Sequence, residues 1–318
     1  MDFVLGGLSA SCAGFFSNPF DVVKTRQQLQ GEMVAKKHEM KDLQLKTEKR
    51  VQPYKNIFQS IKSIVKAEGI RGLQKGLTSA LAFQFCMNSV RLGTYQTIDN
   101  LGYNREQSGE LNPVLCVFWG GLSGVFGSTI GCPFYLVKTQ IQAQSHGKYA
   151  VGFQHGHKST IDAFRRILAE GGVRGLFRGL SGILARTTVG SSVQLSTFSK
   201  TKDFLIGYEI FGESVVLTAF ASSFLSGFYT SLAMNPFDTI ATRMFNQGVD
   251  AKTGKGLLYS NLLDCFIKTI RVEGPMALYK GFTANYMRIA PHTILNLTFW
   301  DLFKNWHALY FDTVVYIE

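Results

Sequence analysis

Asn18-Pro19-Phe20-Asp21-Val22-Val23-Lys24-Thr25-Arg26 closes an uncharged apolar run, Phe3–Phe16, and it decides the fold because it recurs. Cys132-Pro133-Phe134-Tyr135-Leu136-Val137-Lys138-Thr139-Gln140 follows the uncharged run Val114–Ile130. Asn235-Pro236-Phe237-Asp238-Thr239-Ile240-Ala241-Thr242-Arg243 follows Val215–Ala233. A charge at the bilayer centre costs about 2.5–3.5 kcal/mol on insertion scales, so such runs are candidate membrane spans. Glycine and serine dilute them, and on composition alone they could also be buried helices of a soluble α-protein.

A second element recurs downstream: Gly69-Ile70-Arg71-Gly72-Leu73-Gln74-Lys75-Gly76, Gly172-Val173-Arg174-Gly175-Leu176-Phe177-Arg178-Gly179 and Gly274-Pro275-Met276-Ala277-Leu278-Tyr279-Lys280-Gly281. Pro19 to Gly76 is 57 residues, Pro133 to Gly179 is 46 and Pro236 to Gly281 is 45. The longer first copy is explained by Glu32–Arg50, a stretch rich in lysine and glutamate that reads as a solvated loop or short exposed helix. Between the two elements, Ile57, Ile61, Ile64 and Val65 have the spacing of a one-sided surface helix. Leu262, Leu263, Phe266, Ile267 and Ile270 repeat that spacing. Each closing glycine opens another helical pattern: Leu77–Asn100, Leu180–Leu205 and Phe282–Lys304.

The chain therefore divides into three tandem two-helix repeats, 1–106 with a long charged loop at 31–52, 107–209 and 210–318. The expected fold is an all-α membrane protein with six spans and both termini on one side. Internal proline removes a backbone hydrogen bond, so Pro19, Pro133 and Pro236 are expected to kink the first helix of each repeat.

Counting from the closing glycines gives a common ruler for the second helices. Seven residues on lie Phe83, Arg186 and Arg288; eleven on, Met87, Gly190 and His292; fifteen on, Arg91, Gln194 and Asn296. Steps of four keep one helix face, so these nine residues are expected to line one cavity. Three arginines then point inward with no carboxylate among the nine. Intramembrane charges mark function, and a guanidinium offers two parallel N–H donors to a carboxylate. Bracing a helix end or snorkelling to a head group is the plainer role for an arginine, most of all for Arg91. His292 reads first as a packed neutral histidine.

The 33 Lys+Arg against 22 Asp+Glu give a net charge of +11. This suits an anionic membrane surface or anionic substrates better than nucleic acid, because the basic residues are spread along the chain rather than gathered in a stripe. Cys12, Cys86, Cys116, Cys132 and Cys265 lack metal-ligand spacing and read as small packed residues. With no catalytic dyad, metal cluster or phosphate loop, neither an enzyme nor a cofactor is expected. The first apolar run starts at Phe3, so targeting information is expected to be internal.

Proline, any residue, acid, two residues, base, repeated at intervals of about 100 residues, resembles the signature of the mitochondrial carrier family. Within it, Gln84–Tyr95, Val189–Leu195 and Pro291–Leu295 look most like the oxaloacetate-carrier-like animal branch, members 34 and 35 of solute carrier family 25. The resemblance implies a pseudo-threefold barrel in the mitochondrial inner membrane. Its central cavity would open alternately to either side, and both termini would face the intermembrane space. It implies a monomer and a small anionic metabolite, first a di- or keto-carboxylate such as oxaloacetate. A phosphate, sulfate or phosphorylated-acid carrier is the alternative, as is a proton-leak protein or non-transporting receptor. Substrate contacts would be Arg186, Thr187, Arg288, Arg91, Phe83, Gln84 and His292. Lys75-Gly76, Arg178-Gly179 and Lys280-Gly281 resemble the family's lipid-phosphate sites, with cardiolipin as the expected lipid.

The resemblance also implies two gates. At the matrix end Asp21 would pair with Lys138 and Asp238 with Lys24, assisted by Gln28 and Gln142. The third bond would join Tyr135 to Ala241, so both of its members are missing together. At the cytosolic end the pairs would be Gln96 with Lys202, Ser199 with Lys304, and Asp301 with Asp99. None is a complete ion pair, so a weak cytosolic gate and a cavity resting open to the cytosol are expected.

Overall fold

The computed structural model describes residues 2–32, 53–104, 112–207, 215–250 and 254–315. The first helices of the repeats are α1 (Asp2–Leu29), α4 (Pro113–Ala143) and α7 (Val215–Asn246), each continuous through its proline. The second helices are α3 (Leu77–Asn100), α6 (Leu180–Gly207) and α9 (Phe282–Val315). Short helices α2 (Ile57–Glu68), α5 (Thr160–Leu176) and α8 (Leu262–Glu273) lie between them. Two of their starts are fixed locally: the Ser159 and Asn261 side chains accept the N–H groups of Asp162 and Asp264.

The closing glycines have a conformational reason. Gly76, Gly179 and Gly281 have φ of 68°, 81° and 78°, a region that side chains with a Cβ avoid. Two of them also press on a neighbouring first helix: a Cβ on Gly281 would lie 3.2 Å from the Lys24 carbonyl oxygen, and one on Gly76 3.3 Å from that of Lys138. The turn thus sets where each second helix starts relative to the ring of first helices.

The six long helices pack as a closed ring of neighbours, α1 on α3, α3 on α4, α4 on α6, α6 on α7, α7 on α9 and α9 back on α1. The three proline helices also touch one another. The main apolar cluster lies at that convergence, with Phe83, Tyr135, Leu136, Ile183, Ala241 and Phe245 buried together.

Along the proline helices the polarity is inverted relative to a water-soluble protein. Ser9, Ser17, Asn18, Ser123, Ser128, Ser222, Ser226, Thr230 and Ser231 are buried, while Phe15, Phe16, Phe118, Phe126, Ile130, Phe224, Phe228 and Tyr229 face outward. Inward-facing serines and glycines lower mean hydropathy. By length and hydropathy one described helix, Val114–Ala143, qualifies as a membrane span. Glu32 departs from the sequence expectation. The charged stretch was expected to be solvated, yet Glu32 is fully buried, because the turn after α1 folds it back under the bundle. Residues 33–52 of that loop lie outside the described residues.

Candidate functional site

Two and five residues after each proline, the side chains turn to the ring axis. Lys138 Nζ donates to Asp21 Oδ2 at 2.7 Å, and Lys24 Nζ lies 2.7 Å from Asp238 Oδ2. Each carboxylate carries a second cation on its other oxygen. Arg288 Nε of α9 is 3.2 Å from Asp21 Oδ1, and Arg186 Nε of α6 is 2.6 Å from Asp238 Oδ1. These two arginine contacts are ion pairs by distance but lie out of line for hydrogen bonds. The sequence places no carboxylate among the nine ruler positions; the structure adds Asp21 and Asp238 from the first helices, which only the tertiary fold brings within reach of the arginines.

By the repeat ruler, the third sector would hold an acid at Tyr135 with cations at Ala241 and Phe83. All three are apolar or aromatic. Tyr135 is buried with its ring 5.0 Å from that of Phe83 and 5.1 Å from that of Phe245, both edge-on or tilted. Lys138 and Arg186 each stand 5.6 Å from the Tyr135 ring centre. Ala241 is sealed against α6, where a Cβ on Gly182 would come within 2.9 Å of the Ala241 Cα. Two ionic sectors and one apolar sector make up the floor.

Below it, Gln28 donates to Asp238 Oδ2 at 2.9 Å and accepts from Thr242 at 2.7 Å. Gln142 accepts from Thr25 and donates to Asn18, each at 3.1 Å. A further layer was missed from the sequence. Arg26 binds Glu68 at 2.9 Å and the Gln142 carbonyl at 3.0 Å. Arg243 binds Glu273 at 2.6 Å and 3.0 Å and the Gln28 carbonyl at 3.2 Å. The available signal was an acid directly before a glycine, Glu68-Gly69 and Glu273-Gly274, with an arginine in the first and third proline segments. In the second segment Gln140 stands instead, and His157 Nε2 reaches it at 2.9 Å.

Above the floor is a cavity of about 280 Å³, and all nine residues of the ruler line it. Five cations, Lys24, Lys138, Arg91, Arg186 and Arg288, face Asp21 on the lining and Asp238 directly beneath, an excess of three positive charges. Arg91 is half-buried in the upper wall, and among the described residues no carboxylate lies within ion-pair distance of it. His292 lies between Gln84, whose Nε2 is 3.2 Å from His292 Nε2, and Ser17, whose Oγ is 3.2 Å from Nδ1. Gln84 Oε1 also accepts from Asn88 at 3.4 Å, which orients the amide. The amide must then donate to Nε2, so the ring is the neutral tautomer with its proton on Nδ1. The Thr187 hydroxyl is 2.8 Å from Ser128 Oγ between α4 and α6.

The remaining predicted residues are dispersed. Lys75 pairs with Glu68 at 2.8 Å and Lys280 pairs with Glu273, so both lysines turn toward protein carboxylates rather than outward. Arg178 is half-buried beside Gly171 and Gly175. At the opposite end Gln96 donates to Asn100 at 3.1 Å, Asp99 accepts from Asn104 at 3.0 Å, and Lys304 sits 5.2 Å from the Trp300 ring centre. The side chains of Ser199, Lys202 and Asp301 lie outside the described residues.

A ring of repeats around a cationic cavity with a latched floor is the build of a transporter. The mitochondrial carrier protein family model matches the chain three times, over residues 1–106, 109–209 and 212–310, and the chain belongs to that family. It is 43% identical to human solute carrier family 25 member 35, covering 98% of this chain and all of the relative. It is 43% identical to the mitochondrial oxaloacetate transport protein of Schizosaccharomyces pombe over 93% of this chain and 88% of that one. Against the mitochondrial citrate transporter E of Aspergillus niger identity is 38%, over 93% and 90%. The protein is thus a transporter rather than an enzyme, and its family indicates the mitochondrial inner membrane.

Proposed function

We propose that the protein moves a small di- or keto-carboxylate such as oxaloacetate across the mitochondrial inner membrane by alternating access. The observation that carries this reading is the excess of three cations around one cavity, with Arg186 and Arg288 at one level and Arg91 two helical turns higher. Carboxylates named in the relatives, oxaloacetate and citrate, are of the size and charge such a wall would take. The outward aromatic and inward polar faces support six spans, and the closed floor supports a cytosol-open state with the proline ends toward the matrix. Both termini then lie on the intermembrane side.

In this reading a substrate carboxylate competes with Asp238 for Arg186 and with Asp21 for Arg288, while its second anionic group reaches Arg91. Taking the arginines leaves each gate acid with a single lysine and loosens the floor from above. Phe83 and Tyr135 supply an apolar wall for the carbon skeleton, and neutral His292 and Gln84 offer directional hydrogen bonds. Lipid phosphates would be held by the backbone N–H groups at Gly76, Gly179 and Gly281 rather than by Lys75 or Lys280, whose charge Glu68 and Glu273 take up.

Ligand-dependent unfolding of the purified protein tests the substrate class. At a hundred times Kd a ligand adds about 2.7 kcal/mol of stability, which raises the melting temperature measurably. Dicarboxylates are expected to stabilise most and monocarboxylates little. Stabilisation by phosphate or sulfate alone would favour an oxyanion carrier instead.

A further inference from the structure

Glu32 sits just past the end of α1, and two elements close over it. Asn246 ends α7, and Gly152 belongs to the segment between α4 and α5. A Cβ on Gly152 would lie 2.2 Å from Asn246 Nδ2 and 3.1 Å from Glu32 Oε2, so the carboxyl and the amide share a space too small for another methyl group. Both side chains are fully buried, and neither Glu32 oxygen nor either polar atom of the Asn246 side chain has a hydrogen-bond partner. Four unpaired polar atoms in one buried spot are costly, and a carboxylate can only accept.

The charges around it do not favour an ion. Arg243 of α7 is the nearest guanidinium, and Glu273 of α8 already holds it through two bonds. Lys280, at the start of α9, is also paired with Glu273. Glu273 itself repels a second anion. Tyr259 and Cys265, which also face the site, are neutral, and burial lowers His155 to about 4, so it too is neutral where it meets the Asn246 carbonyl at 3.0 Å.

We propose that Glu32 is a proton-binding site: a neutral carboxylic acid while the floor is closed, and a carboxylate that has released its proton to solution when α1 and α7 part. The neutral acid solves the pairing problem, since its O–H donates to Asn246 Oδ1 while its carbonyl accepts from Nδ2. Burial, opposed by Arg243 and by the Asn246 amide and aided by Glu273, pushes Glu32 up to about 8. In the open state the exposed carboxyl returns toward its ordinary range. The closed state therefore binds the extra proton, and it is favoured as pH falls below about 8. Between the ordinary carboxylate range and about 8 the closed-to-open ratio drops by up to about tenfold per pH unit, and above that it is flat. Assigning the released proton to the matrix rests on the orientation proposed above; the protonation itself does not.

Infrared difference spectra of the purified protein against Glu32→Gln read the proton directly. At pH 7 the wild type should show a protonated-carboxyl stretch that Glu32→Gln lacks and that fades in the wild type as pH passes about 8. Thermal unfolding gives the second readout. The wild type should lose stability as pH rises from 6 to 8, whereas Glu32→Gln, whose amide can pair with Asn246 at every pH, should lose less. Should the variant not fold, the wild-type titration alone decides. No protonated carboxyl at pH 7, or identical infrared spectra and pH slopes for the two proteins, would overturn the proposal whatever the substrate proves to be.

Discussion

Replacing Arg186 or Arg288 by alanine is expected to lower carboxylate uptake by about 100-fold or more while leaving the protein folded. Removing a charge-assisted bidentate pair of hydrogen bonds from the cavity accounts for the size, since each 1.4 kcal/mol is tenfold and such bonds are worth about 1.5–3 kcal/mol each. The fold should survive because neither gate acid is left alone: Asp238 keeps Lys24 and Gln28, and Asp21 keeps Lys138. Lysine at either position should rescue poorly. It restores the charge, but a point charge cannot offer the substrate carboxylate two parallel N–H donors. Uptake by reconstituted liposomes, alongside thermal unfolding, separates lost transport from lost folding. Wild-type uptake by either alanine variant would remove the arginines from the substrate site.

Tyr135→Asp is expected to destabilise the closed floor by up to about 3–5 kcal/mol, the scale for a poorly compensated buried charge, since the nearby Lys138 and Arg186 are already held by Asp21 and Asp238. The new carboxylate would stand against Phe83 and Phe245, in a sector where Ala241 supplies no cation. Ala241→Arg should be comparably costly, because the Gly182 backbone leaves no room at that position. From the sequence alone, restoring both partners would be expected to return the parent's stability. The structure changes that expectation: Phe83 and Gly182 have packed into the third sector, so the double variant should recover only part of the loss. A double-mutant cycle by thermal unfolding should nevertheless give a favourable coupling energy. Simple additivity would mean that residues 135 and 241 do not face each other.

The joint change at Tyr135, Ala241 and Phe83 has one physical origin. Removing one member of a buried ionic cluster strands the others, whereas replacing all of them by well-packed apolar groups is often neutral. Such a sector closes by packing alone. Under the proposed mechanism, a competing anion would loosen the two ionic sectors and leave the apolar one unchanged.

Repeats, gate acids and cavity lining were legible because they obey fixed counts. The proline segments recur, and steps of four from a glycine whose φ is positive carry a helix face into the cavity. What escaped the sequence depends on distances between helices. Arg186 with Asp238 and Arg288 with Asp21 join segments whose proximity only the closed ring defines. Lys75 and Lys280 read as free cations in the sequence, but their partners lie in the preceding short helices. Glu32 was hidden by its company, since the head of a lysine- and glutamate-rich run reads as solvated. Mean hydropathy marks one described helix as a candidate span because the same helices that face outward with phenylalanine face inward with serine.

Uptake of labelled oxaloacetate into liposomes carrying the purified protein tests the central claim most directly, with unlabelled competitors added from outside. Saturable uptake is expected, suppressed by small dicarboxylates, weakly affected by monocarboxylates and phosphate, and absent with Arg186→Ala. Uptake that only phosphate or sulfate suppresses, or no uptake of any carboxylate by folded protein, would contradict the account.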